Sequence, residues 1–338
     1  MASSKTLTAA CYCRNVQFTV TVPTVSLPLK VHLCHCSICR YTHGTLCCFH
    51  VPLPDDVQPE FIVPSTLNEC TAYEHLTSTK YFCSTCGCQI GDRGRDGEWV
   101  ISNAIFDANR DDSGIWQFNT HYDPRSTPDG GLSALFSSVE GRKLHMADPK
   151  PSPSTTMTKG SELLAQCHCG GVSFKISRPS EDFISSPNSQ GWIHPSDKTK
   201  WLAGLDICDD CRLVNGTHVI GWMFVPLDHI SSNPSTDLMI GSSKSFRSTP
   251  DVLRTFCGTC GATVFYSCKE RPTVVDVAVG ILRASEGAMA ETWAVWRAGR
   301  VSGLQDGLKY HAGFATALIE GMQEWRISKE HPEDFILP

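Results

Sequence analysis

Cysteines in this chain fall in short clusters whose order occurs twice, and that recurrence limits the possible folds more than any other feature. Cys11-Tyr12-Cys13, Cys34-His35-Cys36-Ser37-Ile38-Cys39 and Cys83-Ser84-Thr85-Cys86-Gly87 are answered by Cys167-His168-Cys169, Cys208-Asp209-Asp210-Cys211 and Cys257-Gly258-Thr259-Cys260-Gly261. Cys39 and Cys83 stand 44 positions apart, Cys211 and Cys257 46. Flanking residues match as well: Cys39-Arg40 with Gly44-Thr45 resembles Cys211-Arg212 with Gly216-Thr217, and Val51-Pro52-Leu53 resembles Val225-Pro226-Leu227. An internal duplication is the simplest source of such order.

A length of 338 residues suits two domains, each large enough for its own core. The stretch Ala147-Asp148-Pro149-Lys150-Pro151-Ser152-Pro153-Ser154-Thr155-Thr156 is rich in proline and small polar residues, which favours an extended linker. The expected organisation is therefore a domain over 1–146, a linker over 147–160 and a second domain over 161–338. After each first cluster an apolar alternation follows, Val16, Phe18, Val20 and Val22 in one half and Val172, Phe174 and Ile176 in the other. Period two predicts strands with one buried face. Trp99 to Ile101 and Val274 to Val279 are further strands, so the class is mainly β with a few short helices. Phe314, Leu318, Met322 and Trp325 fall at helical spacing and predict a C-terminal helix whose stripe packs on the core. The second repeat is longer between its first two clusters, and Ser185 to Ser196 reads as a surface loop.

A hydrophobic fraction of 41% and a charged fraction of 19% describe a globular chain, and a net charge of −6 gives no general pull toward nucleic acid or anionic membranes. The first ten residues lack a signal-like apolar core, and no stretch is long enough to span a bilayer, so a cytoplasmic protein is expected. In a reducing compartment, 18 cysteines in C-x-C and C-x-x-C clusters point to metal or thiol chemistry rather than disulfides.

Two paired spacings supply four thiols, the closed tetrahedral set of a structural zinc: Cys11, Cys13, Cys83 and Cys86, and again Cys167, Cys169, Cys257 and Cys260. Gly87 and Gly261 suit the tight knuckle after the second pair, where φ turns positive. Cys34, Cys36 and Cys39 come from one short loop and leave a fourth coordination position for water, substrate or another side chain, with a histidine, Cys47 or Cys48 as the candidates that would close it. An open zinc favours the deprotonated form of an incoming thiol and so generates a nucleophile near neutral pH. In repeat two, the position of Cys34 is taken by Asp206. Either Asp206, Cys208 and Cys211 form a site of harder character or the metal there is lost.

The sequence C-x-C, then C-H-C-S-x-C-R with a nearby glycine, then F-C-x-x-C-G resembles the glutathione-dependent formaldehyde-activating enzyme family, which includes centromere protein V. The resemblance covers nearly the whole chain apart from the linker and the insertion. It implies two tandem zinc domains of the β-tent type, each with a structural and a catalytic zinc, and a carbon–sulfur lyase or synthase joining glutathione to formaldehyde as S-hydroxymethylglutathione. Carried over by motif, Cys34, Cys36 and Cys39 hold the catalytic metal, and the partners are a small thiol and an electrophile. Two departures stand out. Cys13-Arg14-Asn15 replaces the Cys-Gly-Gly of the second repeat, and Asp206 replaces a thiol. Repeat one is thus expected to carry catalysis, with repeat two packed against it or shaping the entrance.

The other cysteines, Cys47, Cys48, Cys70, Cys88 and Cys268, read as small buried hydrophobes. His35 is expected to point away from the metal, while His32, His43 and His50 are candidate proton carriers. Arg40 and Arg212 adjoin the thiol loops, and Arg40 is the candidate binder of a glutathione carboxylate; pairing with an acidic neighbour is the alternative. A non-catalytic zinc-braced interaction module, or a tailoring enzyme whose pocket is built in part by the insertion around Trp192, are the competing functions.

Overall fold

The computed structural model describes residues 3–109, 114–147, 160–232, 234 and 237–331. The linker expected over 147–160 lies outside them, except for its two end residues.

The alternating apolar residues form the expected strands. Val16, Phe18, Val20 and Val22 are fully buried around the strand Gln17–Pro23, which pairs antiparallel with Ser4–Ala10. Val172, Phe174 and Ile176 do the same around Ser173–Ser177, paired with Glu162–Gln166. Each hairpin accompanies an eight-stranded sheet, and seven strands of each sheet follow one order; the eighth is His145–Ala147, parallel to Trp116–Tyr122, in one and Ile193–His194, antiparallel to Asp197–Asp206, in the other. In repeat one, Trp116–Tyr122 runs parallel to Leu29–Cys34, followed by Cys48–Pro52, Trp99–Ser102, Gln89–Gly94, Ser78–Cys83 and Cys70–Glu74. In repeat two, Ala294–Trp296 runs parallel to Asp197–Asp206, followed by Ile220–Pro226, Val274–Ala278, Thr263–Cys268, Val252–Cys257 and Ser243–Thr249. The duplication therefore extends to topology.

Four α-helices occur among the described residues: α1 (Ser37–His43), α2 (Glu181–Ser185), α3 (Asp209–Asn215) and α4 (Leu304–Ser328), the last kinked where His311 leaves helical backbone geometry. Helices α1 and α3 are the equivalent short helices that follow the two central strands, each capped at its start by a cysteine, Cys36 or Cys208. Helix α4 buries Phe314, Leu318, Met322 and Trp325, as their spacing predicts. Its Phe314 stacks on Phe118 with ring centres 5.4 Å apart and meets Phe49 and Phe136 edge-on, so α4 packs on the sheet of repeat one. The insertion is more ordered than a plain loop. It contains part of α2, and Ile193 and His194 are buried on the edge of the second sheet, because the longer strand Asp197–Asp206 offers them a backbone ladder.

The halves pack reciprocally. Gly87 and Gly261 have φ of +81° and +80°, as the knuckle requires, and each faces a phenylalanine of the other repeat. A Cβ on Gly87 would stand 2.5 Å from the Phe256 ring, and one on Gly261 would stand 2.6 Å from Phe82. The residue between the first two thiols crosses over as well: Tyr12 donates to Ser248 O at 2.9 Å, and His168 Nδ1 meets Tyr73 Oη at 2.7 Å. Each four-thiol knuckle thus braces its own repeat and leans on the other.

Candidate metal centre

Cys11 and Cys13 sit in the turn of the first hairpin, and Cys83 and Cys86 in the turn after Ser78–Cys83; their ligand atoms lie within 4.8 Å of one another. Cys11 Sγ is 3.5 Å from Cys13 Sγ, and Cys13 Sγ is 3.6 Å from Cys83 Sγ. Cys167, Cys169, Cys257 and Cys260 converge in the same way, with two sulfur–sulfur separations of 3.5 Å. A zinc ion with Zn–S of about 2.3 Å holds its sulfurs about 3.8 Å apart, so both sets have the dimensions of a tetrahedral thiolate site. Backbone amides already point at the sulfurs: Val16 N to Cys11 Sγ at 3.4 Å, and Val172 N to Cys167 Sγ at 3.3 Å. Hydrogen bonds from Cys11 and Cys13 hold Cys83 far below the usual thiol range, and a bond from Cys260 brings Cys169 down to about 7. All 18 cysteines are free thiols.

The third set differs. Cys34 ends a central strand, Cys36 caps α1 with its Sγ accepting from Cys39 N at 3.4 Å, and Cys39 lies in the first turn. Their ligand atoms gather within 4.8 Å, and among the described residues this set holds three donors where the knuckles hold four. Cys34 and Cys36 are partly exposed, and Cys39 is buried. Bonds from Cys34 and Cys36 hold the Cys39 thiol well below its ordinary range, and the ammonium of Lys80, 3.9 Å from Cys39 Sγ, adds to this. Lys80 is buried, and burial alone would depress it. The Cys39 thiolate and the Asp92 carboxylate at 2.6 Å instead keep it protonated.

Asp206, Cys208 and Cys211 occupy the equivalent place in repeat two and also lie within 4.8 Å of one another. Cys208 Sγ accepts from Cys211 N at 3.4 Å, repeating the geometry of Cys36 and Cys39. Arg254 stands where Lys80 does, three residues before the C-x-x-C, and donates to Cys211 Sγ at 3.5 Å. A cavity of about 470 Å³ opens over this set, walled by Gly204, Trp222, Phe224 and Tyr266. Its floor holds Asp276, which burial pushes up to about 6 although Arg271 pairs with it.

Strand registers explain the difference between the repeats. His32 lies opposite His50 and Cys34 opposite Cys48, and since alternate residues share a face, all four side chains share one side of the sheet. Gly204 lies opposite Trp222 and Asp206 opposite Ile220 at the same places in repeat two. One face is rich in nitrogen and sulfur; the other is hollow and aromatic.

Other expected residues find different places. His35 is fully buried and pairs with His121 at 2.8 Å, away from the thiols. Arg40 is only 4% exposed and donates from Nε to His35 O at 3.2 Å, so its guanidinium braces the loop from inside and has little surface to offer a ligand carboxylate. Arg212 is equally buried and pairs with Asp209 at 2.7 Å. Cys47, Cys48 and Cys88 are buried, whereas Cys70 and Cys268 are partly exposed. Arg14 adopts φ of +61°, so the turn that Gly170 makes at +76° is kept in repeat one despite the substitution. The Lys80 and Arg254 cations and the cavity of repeat two were not anticipated. The cations had a signal, a basic residue at the same offset in both repeats. The cavity had none, since it arises from side chains on five strands.

No helix among the described residues is long and apolar enough to cross a membrane. No curated protein matches the chain. The sequence profile described as glutathione-dependent formaldehyde-activating enzyme matches residues 6–117 and 196–298. Two matches to one domain, on two sheets of one topology, place this chain in the glutathione-dependent formaldehyde-activating enzyme family.

Proposed function

We propose that the chain is a zinc-dependent carbon–sulfur lyase or synthase acting on a thiol adduct at Cys34, Cys36 and Cys39, with glutathione and formaldehyde as the default pair. The observation that carries this reading is the three-donor set beside two four-donor sets. A metal ion bound there would take the incoming sulfur as a thiolate and so supply the nucleophile. In the forward direction the sulfur attacks the aldehyde carbon, the C–S bond forms, the carbonyl π pair moves to oxygen, and the thiol proton ends on that oxygen. His32, half-buried on the same face as Cys34, would carry this proton. Lys80 balances the anionic thiolates, and Asp92 fixes its position. Magnetisation-transfer NMR on zinc-loaded protein should show exchange between glutathione and its hydroxymethyl adduct above the uncatalysed rate. Cys36→Ala should abolish the excess while keeping the melting temperature and the zinc of the four-thiol sets; equal exchange in both proteins would sink the reading.

The cavity over Asp206, Cys208 and Cys211 favours a second open site for a larger electrophile. The insertion supports this, because Trp192 lines an adjoining groove of about 980 Å³ that shares Arg271 with the cavity. Asp206→Ala should then release one zinc equivalent without touching the exchange at repeat one. An unchanged zinc count in that variant would overturn Asp206 as a ligand of such a site.

A further inference from the structure

Behind the three-thiol set of repeat one, His43, Cys48 and His50 bring one ligand atom each to within 4.8 Å of one another, and all three residues are buried. His43 closes α1, and Cys48 and His50 lie on the adjoining strand. The tautomer of His43 follows from its partners. Its Nδ1 faces Cys39 O at 3.0 Å and Thr42 Oγ1 at 3.1 Å. A carbonyl can only accept, so the proton sits on Nδ1 and Nε2 keeps a bare lone pair. That Nε2 has no partner, and neither does His50 Nε2, although His43 is 1% exposed and His50 7%. Buried polar atoms without partners are rare and call for a reason. An imidazole that donates from one nitrogen to a backbone carbonyl and leaves the other free is held as metal-ligating histidines are held.

Repeat two provides an internal comparison. Asn215 stands in the place of His43 and makes the matching bond, from Nδ2 to Cys211 O at 2.8 Å. Its oxygen accepts from Thr263 Oγ1 at 2.7 Å, so both polar atoms of its side chain have a partner within the protein. Ile220 and Trp222 take the places of Cys48 and His50. The bond that secures the helix end therefore needs no histidine. The two spare imidazole nitrogens and the thiol are peculiar to repeat one.

We propose that His43, Cys48 and His50 form an additional metal site for a borderline-soft divalent cation of the zinc type, bound by two nitrogens and one thiolate. Two nitrogens and a sulfur match that preference, whereas calcium or magnesium would demand oxygen. The charge is tolerable in a buried place. A divalent ion with the Cys48 thiolate leaves one positive charge, and Lys80 adds another, while the Cys39 thiolate and Asp92 offset both. Cys48 groups with the histidines, and its Sγ–H points to Cys39 O at 3.5 Å, so the site abuts the three-thiol set without completing it.

Zinc-edge X-ray absorption on the full chain at saturating zinc tests this directly, because the other four candidate sets contain no histidine. The spectrum of the unaltered protein should carry imidazole scattering. The double variant His43→Gln, His50→Gln should lose that scattering together with one zinc equivalent by elemental analysis. Cys36→Ala, which removes the proposed catalytic set, should keep it, so the two proposals fail separately. Absence of imidazole scattering in the unaltered protein, which requires no variant to fold, would overturn the site, as would its persistence in the double variant.

Discussion

Replacing Lys80 by methionine tests whether the cation beside the thiols is there to hold a metal. Three thiolates and a divalent ion carry one net negative charge, and burying an uncompensated charge is costly. Lys80 Nζ lies 3.9 Å from Cys39 Sγ, where an effective dielectric of about 20 gives an attraction of about 4 kcal/mol. Asp92, 2.6 Å from the same ammonium, already takes part of that charge, and the variant also relieves the burial of Lys80 itself. A net loss of about 1–3 kcal/mol remains, roughly a 5- to 150-fold weaker hold on the zinc of the Cys34, Cys36 and Cys39 set. Competition with a coloured chelator reads this as one equivalent released early, while the four-thiol equivalents stay. Lys80→Arg should restore most of the affinity, since Arg254 makes the same contact in repeat two. Equal or tighter binding in Lys80→Met would show that the ammonium serves only Asp92, and the electrostatic reasoning would fall.

Two further outcomes follow from single residues. Burial, with His311 and Arg212 nearby, holds His218 well below its ordinary value of 6.5, while Nε2 meets Asn103 Oδ1 of the other repeat at 2.6 Å. Below pH 6.5 the unfolded chain takes a proton there that the folded chain refuses, so this contribution is fully present above 6.5 and is lost as pH falls. Between pH 6 and pH 5, denaturant titrations should show the unaltered protein losing roughly 1 kcal/mol more than His218→Gln; parallel losses would contradict the assignment. Arg14 sits at φ of +61° in a turn that Gly170 makes in repeat two, so Arg14→Gly should raise stability by up to about 1 kcal/mol, seen as a higher melting temperature. A lower melting temperature would mean the Arg14 side chain contributes more than its backbone costs.

Much of this molecule is legible in its sequence because the duplication supplies an internal control. The four-thiol sets, the alternation at Val16 to Val22 and Val172 to Ile176, and the stripe Phe314, Leu318, Met322 and Trp325 each depend on local spacing, and local spacing is what a chain displays. The reciprocal contacts are another matter. Tyr12 reaching Ser248 and His168 reaching Tyr73 join residues 236 and 95 positions apart, and no periodicity encodes such a meeting. Arg40 is a related case. Its position next to Cys39 suggested a ligand, but the loop turns the guanidinium inward onto His35 O. The alternation His32-Leu33-Cys34 and Cys48-Phe49-His50 was readable as two donor pairs, yet only the register shows that they share a face.

That shared face is where the two repeats part company. Gly204 at the place of His32 lacks a ring, Trp222 at the place of His50 exchanges a donor for an aromatic wall, and both line the cavity of about 470 Å³ over Asp206, Cys208 and Cys211. The same strands, caps and thiol spacing remain beneath. Because Tyr12 and His168 each tie a knuckle to the opposite repeat, and Gly87 and Gly261 each pack closely on side chains of the opposite repeat, loss of one brace should loosen the other repeat as well. The scaffold is therefore constrained on both sides while the face above it is free to differ. Imidazoles and thiols in repeat one and an aromatic hollow in repeat two are the kind of divergence such an arrangement permits.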